Sequence, residues 1–523
     1  MALSSIVRLT CDTCGKVAVE KSRVNLGNKK LIFLECGHML TEGTMTSWLI
    51  EDILNGTKLW KYQVEGVQAM ERANGRVILA DQQGLGKTIQ ALALLKLHQA
   101  EMLPAVIVVP SSVALQWHHE ILDKCGVQGF LTQVIPSGKV MAAPGFNVYI
   151  ITYDLLKNEK VFDLVKDNIK TVIIDECQRI KDHLSGRAKA VQKICKNAEH
   201  IIPMSGTPIK NHAGEYFTVL NLVAPRLFPQ YAKFIEQDCD SYHNGWGYKV
   251  GGLRNPDAFH AKTKDIIIRR TKDEVLPDLP KKFRQFFHCE LDRRVNKAYG
   301  EALQELEDLY YSDEDDAFAR NSNMLAIMTK MREVTAIGKV DACVEFIDEF
   351  LDSSDRKIVI FAHHHTAIAL LIAKLNKMLL EDKQMQPCLQ VHAGLNQEKR
   401  DAVIQQFKNG KNRIMIAAQL ATGEGLNLQF CSDAVMFERQ WNPANEEQSE
   451  DRFHRFGQTN PVTCVYMIAT ETIDEYFTQL VEAKRAIVAG TLDNKEIQWN
   501  QDSLMTELAS ILVTTGKKAW SLK

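Results

Sequence analysis

Nowhere in its 523 residues does the chain string together the ~20 apolar residues that cross a bilayer, so no membrane-spanning helix is expected. The segment Met1 to Thr10 has no secretory hydrophobic core either. The expectation is therefore a soluble protein, cytoplasmic or nucleoid-associated, or nuclear if the source is a eukaryote, with no membrane partner. An excess of charge is missing too: 63 Lys and Arg stand against 65 Asp and Glu, a formal net charge of −2. That excludes a protein that adheres to polyanions through general positive charge; nucleic acid would have to be met by local patches. Twelve cysteines scattered over this length do not make a disulfide framework, and they point to reduced thiols. There is no solenoid-type repeat and no low-complexity tail. What is present, 45% hydrophobic and 24% charged residues, suffices for three or so globular units at ~100–200 residues per domain.

The most informative segment is Asp81 to Thr88, Asp-Gln-Gln-Gly-Leu-Gly-Lys-Thr, which follows the apolar run Val77 to Ala80 and opens into a leucine-rich helical stretch. Strand, phosphate loop and helix in that order belong to NTP-driven motors. Gly84 and Gly86 let backbone N–H groups close around phosphate oxygens, with Gln83 and Leu85 completing the loop. Lys87 can neutralise β/γ charge, and the Thr88 hydroxyl can ligate Mg²⁺ at a helix N-terminus that already favours anions. The usual first glycine of such a loop is Asp81 here. About ninety residues on, Thr171 to Gln178 is a buried-type strand ending in two carboxylates, at the edge where an α/β sheet presents its catalysts. Asp175 would hold Mg²⁺ through water, and Glu176 would orient and deprotonate the attacking water. The alternative for each is a surface turn or a solvated strand end. Their order and flanking elements favour the site.

Taken together, these segments resemble the SNF2 family of superfamily 2 helicase-like ATPases over roughly residues 56 to 490. Leu59, Tyr62, Gln63 and Gly66 resemble the adenine-reading segment, Gln63 matching the base-contacting glutamine. Residues 81–88 resemble motif I, 108–117 motif Ia, 151–154 motif Ib, 175–178 motif II and 204–211 motif III. Arg269 to Lys281 is the most family-specific string outside the nucleotide site. Residues 357–361 resemble motif IV, 417–428 motif V and Gln448 to Gln458 motif VI. The resemblance implies an ATP site between two lobes, with Tyr62, Gln63, Gln83 to Thr88 and Gln448 binding nucleotide. Arg452 and Arg455 would complete it from the second lobe, Arg455 as the arginine finger. The alternative for these arginines is a salt-bridged helix face, since Glu446, Glu447, Glu450 and Asp451 lie nearby.

Three places depart from the pattern. Gln178 stands where motif II usually ends in histidine and is expected to hydrogen-bond toward motif III. Glu424 stands where motif V tends to be small or apolar, and Gln440 replaces a common acidic residue before Trp441, Asn442 and Pro443.

The fold expected is α/β: two RecA-like lobes with parallel sheets, helical protrusions and a small N-terminal zinc-binding module. Residues 1–55 form that module, 56–295 the first lobe, 296–335 a linker or helical protrusion, 336–490 the second lobe and 491–523 a docking helix, with Leu504, Leu508, Ile511 and Leu512 at helical spacing. Residues 262–297 carry eleven Lys and Arg against six acids, whereas residues 301–316 carry eight acids and no base. That contrast sets the boundary. In the N-terminal module, Cys11-x-x-Cys14 and Cys36-Gly-His38 have zinc-knuckle spacing, and three thiolates with one imidazole make a closed tetrahedral site. So short a module has little core, and a metal would supply folding energy. The run His363 to His365 follows the motif IV strand, where the family resemblance implies a polar loop near DNA, and no Cys or carboxylate joins it.

The activity expected is a DNA-stimulated ATPase, using ATP and Mg²⁺ and a structural Zn²⁺, that translocates on double-stranded or forked DNA and remodels protein–DNA complexes, forks or annealed strands. The motif VI string leans toward the annealing-helicase branch. The alternative is a recruitment protein whose N-terminal module finds a protein partner while ATP cycling acts as a conformational switch.

Overall fold

The computed structural model describes residues 50–126, 130–135, 145–166, 168–209, 212–243, 248–291, 293–311, 317–392, 394–418, 427–440, 443–493 and 512–514, together with the backbone of four strands before residue 50. Those strands, β1 (Arg8–Thr10), β2 (Val17–Leu26), β3 (Lys29–Leu34) and β4 (Met39–Glu42), form an antiparallel sheet in sequence order. The proposed zinc ligands Cys11, Cys14, Cys36 and His38 lie outside the described residues, as do motif V positions 419–426, Glu424, Trp441, Asn442, and Leu504, Leu508 and Ile511 of the expected docking helix.

The rest divides into two compact units. The first comprises residues 1–208, 217–229 and 262–271, and the second residues 209–216, 230–261 and 272–523. Each is built on a parallel sheet. In the first unit the strands are β5 (Ile78–Leu79), β6 (Ala105–Val109), β7 (Thr132–Ile135), β8 (Val148–Thr152), β9 (Thr171–Asp175), β10 (His200–Met204) and β13 (Ile267–Ile268), in spatial order β13-β5-β10-β9-β6-β8-β7. Runs such as Val106 to Val109 and Val172 to Ile174 are β-branched and buried throughout, as a sheet covered on both faces requires. Two strands of the second unit, β11 (Cys239–His243) and β12 (Tyr248–Leu253), make a separate antiparallel hairpin between the helices Tyr231–Gln237 and Pro256–Thr263.

The sheet of the second unit contains β14 (Lys282–Cys289), β15 (Ile358–Ala362), β16 (Leu389–Val391), β17 (Ile414–Ala418), β18 (Asp433–Met436) and β19 (Val462–Ala469), ordered β14-β19-β18-β15-β17-β16. Alternation along β15 shows why it is central. Ile358, Ile360 and Ala362 enter one apolar cluster, and Val359 and Phe361 enter another on the opposite face. Each such fully buried aliphatic side chain contributes about 1.5–3 kcal/mol.

Residues 272–523 all fall in the second unit. The strand Lys282–Cys289 pairs in parallel with β19 along its whole length. The helices Arg293–Tyr310 and Ala317–Gly338 bury Tyr299, Leu306, Met324, Met328 and Met331 against Ile473 and Phe477, with Leu512 in the same cluster. The charge contrast records which helix face meets water, whereas strand pairing decides membership. Among the described residues, no helix is long and apolar enough to cross a membrane.

Candidate active site

In the first unit, β5 ends in Ala80, the loop 81–86 turns, and the helix Lys87–Leu97 starts. Gly86 caps that helix at φ 71°, a left-handed conformation, and a Cβ there would stand 2.5 Å from Gln63 Nε2. The Lys87 ammonium donates to the carbonyls of Asp81 at 2.8 Å and Gln82 at 3.4 Å. Burial pushes its pKa down, against the attraction of Glu176, Asp81 and Asp175. Neutral carbonyls are weak partners for an ammonium; a phosphate oxygen offers a charge-assisted bond about twice as strong. Thr88 follows in the first helical turn. The Leu85 carbonyl faces three donors, Tyr62 Oη, Gln63 Nε2 and Gln90 Nε2, each at 3.3 Å. Gln63, expected to read adenine, spans from this carbonyl to the Trp60 N–H, which donates to its Oε1 at 3.0 Å.

Asp81, a departure noted in the sequence but given no structural partner there, is the centre of a polar hub. It is fully buried, its Oδ1 accepts Arg270 Nε at 2.9 Å, its Oδ2 accepts Gln90 Nε2 at 2.9 Å, and a second Arg270 nitrogen also reaches Oδ2. Arg270 donates further to Gln90 Oε1 at 2.8 Å and to the Tyr62 carbonyl. Gly66 makes room for this: a Cβ there would come within 2.0 Å of Gln90 Oε1. Arg269 donates to the carbonyls of Ala80 at 2.8 Å and Gly206 at 3.0 Å. The family-specific string that begins at Arg269 therefore braces the phosphate loop, the segment 62–63 and the motif III turn. A buried acid at the head of the loop demands a cation, and that demand was the available signal.

Asp175 and Glu176 stand at the end of β9, the central strand, where β6 and β10 flank it. Burial, then the neighbouring Glu176, pushes the Asp175 carboxyl up to about 7, while Trp117 and Lys87 pull it back. Two crowded, desolvated acids within electrostatic reach of the Lys87 ammonium form an oxygen-rich set that fits Mg²⁺ bound to a polyphosphate. Glu176 adopts φ 52°, left-handed for a non-glycine, and its Oε2 accepts Gln178 Nε2 at 2.6 Å. Gln178 thus supports Glu176, where motif III had been its expected partner.

In the second unit the helix Pro443–Glu450 carries Gln448, and Arg452 and Arg455 follow it. Arg452 is buried; Arg455 is half-buried and donates to Asn427 Oδ1. The neighbouring acids are engaged inside the fold. Glu446 holds Arg439 (2.7 Å) and Arg485 (3.1 Å), Glu447 holds Arg485 (3.0 Å), Glu450 holds Lys282 (2.7 Å) and Arg284 (2.6 Å), and Asp451 holds Lys272 (2.8 Å). Glu446, Glu450 and Asp451 are buried and bond to strands and neighbouring helices, and Glu447 is half-buried. His454 Nε2 lies 2.7 Å from the Pro280 carbonyl, and Gln458 donates to the Cys431 carbonyl at 2.8 Å, fixing the segment on both sides of Arg455. The histidine run does gain a carboxylate: Glu438 Oε2 accepts the His363 and His364 N–H groups at 2.6 and 3.0 Å, and its Oε1 pairs with His364 Nδ1. Among the described residues, no cluster of His, Cys, Asp and Glu could hold a metal ion by itself.

Residues 62–337 match the SNF2-related domain, and residues 338–457 match the helicase conserved C-terminal domain. The chain belongs to the SNF2-related family. That family consists of ATP-dependent enzymes that act on DNA. Similar curated proteins include the DNA annealing helicase and endonuclease ZRANB3 of Mus musculus, 29% identical over 84% of this chain and 41% of the relative. A SWI/SNF-related matrix-associated actin-dependent regulator of chromatin subfamily A-like protein 1 of Xenopus laevis is 29% identical over 82% and 43%, and an uncharacterized ATP-dependent helicase of Mycoplasma genitalium is 30% identical over 83% and 42%. The chain thus spans about two fifths of the length of these relatives. Among solved structures, the Sulfolobus solfataricus SWI2/SNF2 ATPase core in complex with dsDNA is 22% identical, covering 88% of this chain and 96% of that chain at a TM-score of 0.39.

Proposed function

We propose that the chain is a DNA-stimulated ATPase that translocates on double-stranded DNA and remodels forks, annealed strands or protein–DNA complexes. The observation that carries this is the placement, at the C-terminal edge of one parallel sheet, of a phosphate loop with a lysine resting on neutral carbonyls and a desolvated acidic pair. Lys87 and the loop N–H groups bind the β/γ-phosphates, and Gln63 leaves the Leu85 carbonyl to read adenine. Thr88 and Asp175 would hold Mg²⁺, which would supply charge neutralisation at the phosphates. Glu176, steadied by Gln178, orients the attacking water and takes its proton. Gln448, Arg452 and Arg455 are assigned to complete the site from the second lobe. Duplex DNA is contacted through its backbone by motifs Ia, Ib, IV and V, so hydrolysis serves movement without reading bases. Annealing activity is what the name of the ZRANB3 relative describes, and forked DNA is the corresponding substrate proposed for this chain.

ATPase assays on the purified chain test this. Turnover should rise with linear duplex of any sequence and fall steeply with salt as phosphate contacts release counterions. Glu176→Gln should retain nucleotide binding and lose ~10²-fold or more in turnover, whereas Lys87→Ala should lose binding. Stimulation by RNA and not by duplex DNA would remove the reading. Separately, the sequence spacing of Cys11, Cys14, Cys36 and His38 supports one structural Zn²⁺ that serves recognition of a DNA structure or protein partner. Elemental analysis should find about one zinc per chain, abolished by Cys11→Ser with Cys14→Ser, with basal ATPase retained when residues 1–50 are removed.

A further inference from the structure

The acidic pair is held from the flank of the sheet opposite the phosphate loop. In the strand order, β5 lies beyond β10 on one side of β9, while β6 and then β8 lie on the other. Trp117 sits in the helix Ala114–Lys124 that follows β6, and Tyr153 directly follows β8. Both are buried. The Trp117 indole N–H donates to Asp175 Oδ2 at 2.8 Å, while the Glu176 N–H donates to Oδ1 at 3.0 Å. Each carboxylate oxygen therefore has a fixed donor, which sets the plane of the group. The Tyr153 hydroxyl donates to the Asp175 carbonyl at 2.5 Å and lies 3.3 Å from the Glu176 carbonyl, clamping the turn that keeps Glu176 left-handed.

Each tether also has a solvent end. Ser111, Leu115 and His119 are exposed around the helix that carries Trp117. Beside Tyr153, Asp154 is exposed and is bracketed by Arg187 at 2.7 Å and Lys157 at 2.8 Å, two cations at the surface of the same strand end. A ligand landing on the ends of β6 and β8 thus bears on elements whose buried side chains hold the two acids.

We propose that Trp117 and Tyr153 are positioning residues that transmit the docking of duplex DNA at these strand ends to Asp175 and Glu176. The proposal rests on the reading of the chain as a DNA-stimulated ATPase. A hydrogen bond weakens steeply as its angle closes toward ~120°, so a small rotation of the helix is enough to change how the Asp175 carboxylate is held. A misplacement of ~1 Å at a reacting group costs ~10²-fold in rate, which makes such a tether an effective gate on hydrolysis.

The test compares the full chain with Trp117→Phe and Tyr153→Phe, measuring steady-state ATPase with and without a linear duplex, and duplex affinity by fluorescence anisotropy. Expected in either variant are a KM for ATP and a duplex Kd within ~2-fold of the parent, with the ratio of stimulated to basal kcat reduced ~10-fold. The double variant should fall little below the worse single one, since both act on one acidic pair. Stimulated and basal kcat falling in equal proportion would overturn the proposal, because that is what a purely structural role predicts. A ratio equal to the parent's would overturn it as well. A parent that duplex DNA fails to stimulate would instead bring down the functional reading and the relay with it. Tyr153→Phe removes a single oxygen, so it decides by the same ratio if Trp117→Phe fails to fold.

Discussion

Both units bury charge, but they treat it differently. In the second unit, Glu450 meets Lys282 and Arg284 and the Tyr466 hydroxyl, Glu446 meets Arg439 and Arg485, and Lys339 meets Asp474 at 2.6 Å. Opposite charges close on one another there, and the result is a frame for the segment that carries Arg452 and Arg455. At the C-terminal edge of the sheet in the first unit, Lys87 leans on carbonyl oxygens, and Asp175 is raised by burial and then by a second acid beside it. The lesson is that buried charge alone does not mark a site. Buried charge matched to its opposite builds structure, whereas buried charge set against its own sign, or against neutral dipoles, is held ready for a ligand.

The comparison can be broken most forcefully at the one arginine that the frame of the second unit is assigned to present. Arg455→Ala is expected to lower kcat by ~10³-fold with little change in ATP affinity, and Arg455→Lys should not restore it, because an ammonium lacks the planar fork of donors. Turnover within a few-fold of the parent would mean that the frame presents some other group. Next in size are the buried pairs themselves. Glu450→Ala strands Lys282 and Arg284, and Arg270→Ala strands Asp81; each should cost about 3–5 kcal/mol in denaturant unfolding. The two should part on a second measurement. Only Arg270→Ala should also weaken nucleotide binding, since its hub holds the phosphate loop, and Asp81→Asn in that background should recover part of the stability. Equal nucleotide affinity in both variants would erase the distinction between frame and site.

The smallest effect is a dependence on pH. The Asp175 carboxyl sits at about 7 in the folded chain, above its ordinary 3.8. Its contribution to stability is therefore full in acid and is lost as pH rises through that value. Without nucleotide or metal, Tm should rise as pH is lowered from about 8 to about 6, by an increment that Asp175→Asn removes. Mg²⁺ with ATP should suppress the increment by holding the carboxylate ionised. A profile that Asp175→Asn leaves unchanged would place the ionisation elsewhere.

Features that depend on near neighbours were legible in the sequence. The runs Ala105–Val109, Val148–Thr152 and Thr171–Asp175 are strands where β-branched residues cluster, and the loop at 81–88 folds between strand and helix as its glycines require. What needed distant partners was not legible. Asp81 pairs with an arginine 189 residues away, and the histidine run meets Glu438 from 74 residues away, so neither partner falls within any window of local pattern. The place of the strand Lys282–Cys289 was not legible for a related reason. Charge reports what faces water, while the strand Lys282–Cys289 joins its sheet through backbone bonds to β19 that composition does not record. Gln178 was misread in the opposite direction: a distant partner was expected, and the bond is two residues long.

That short bond also affects how the protein would behave when cellular acidity drifts. The family resemblance leads one to expect a histidine at this place, an imidazole that exchanges its proton with the surroundings between about pH 5 and 8. The amide of Gln178 does not titrate in that range, so the donor that reaches Glu176 at 2.6 Å keeps its proton on either side of neutrality. That donor is therefore indifferent to acid stress, and a cell whose interior acidifies would not loosen the proposed water-activating group by titrating it.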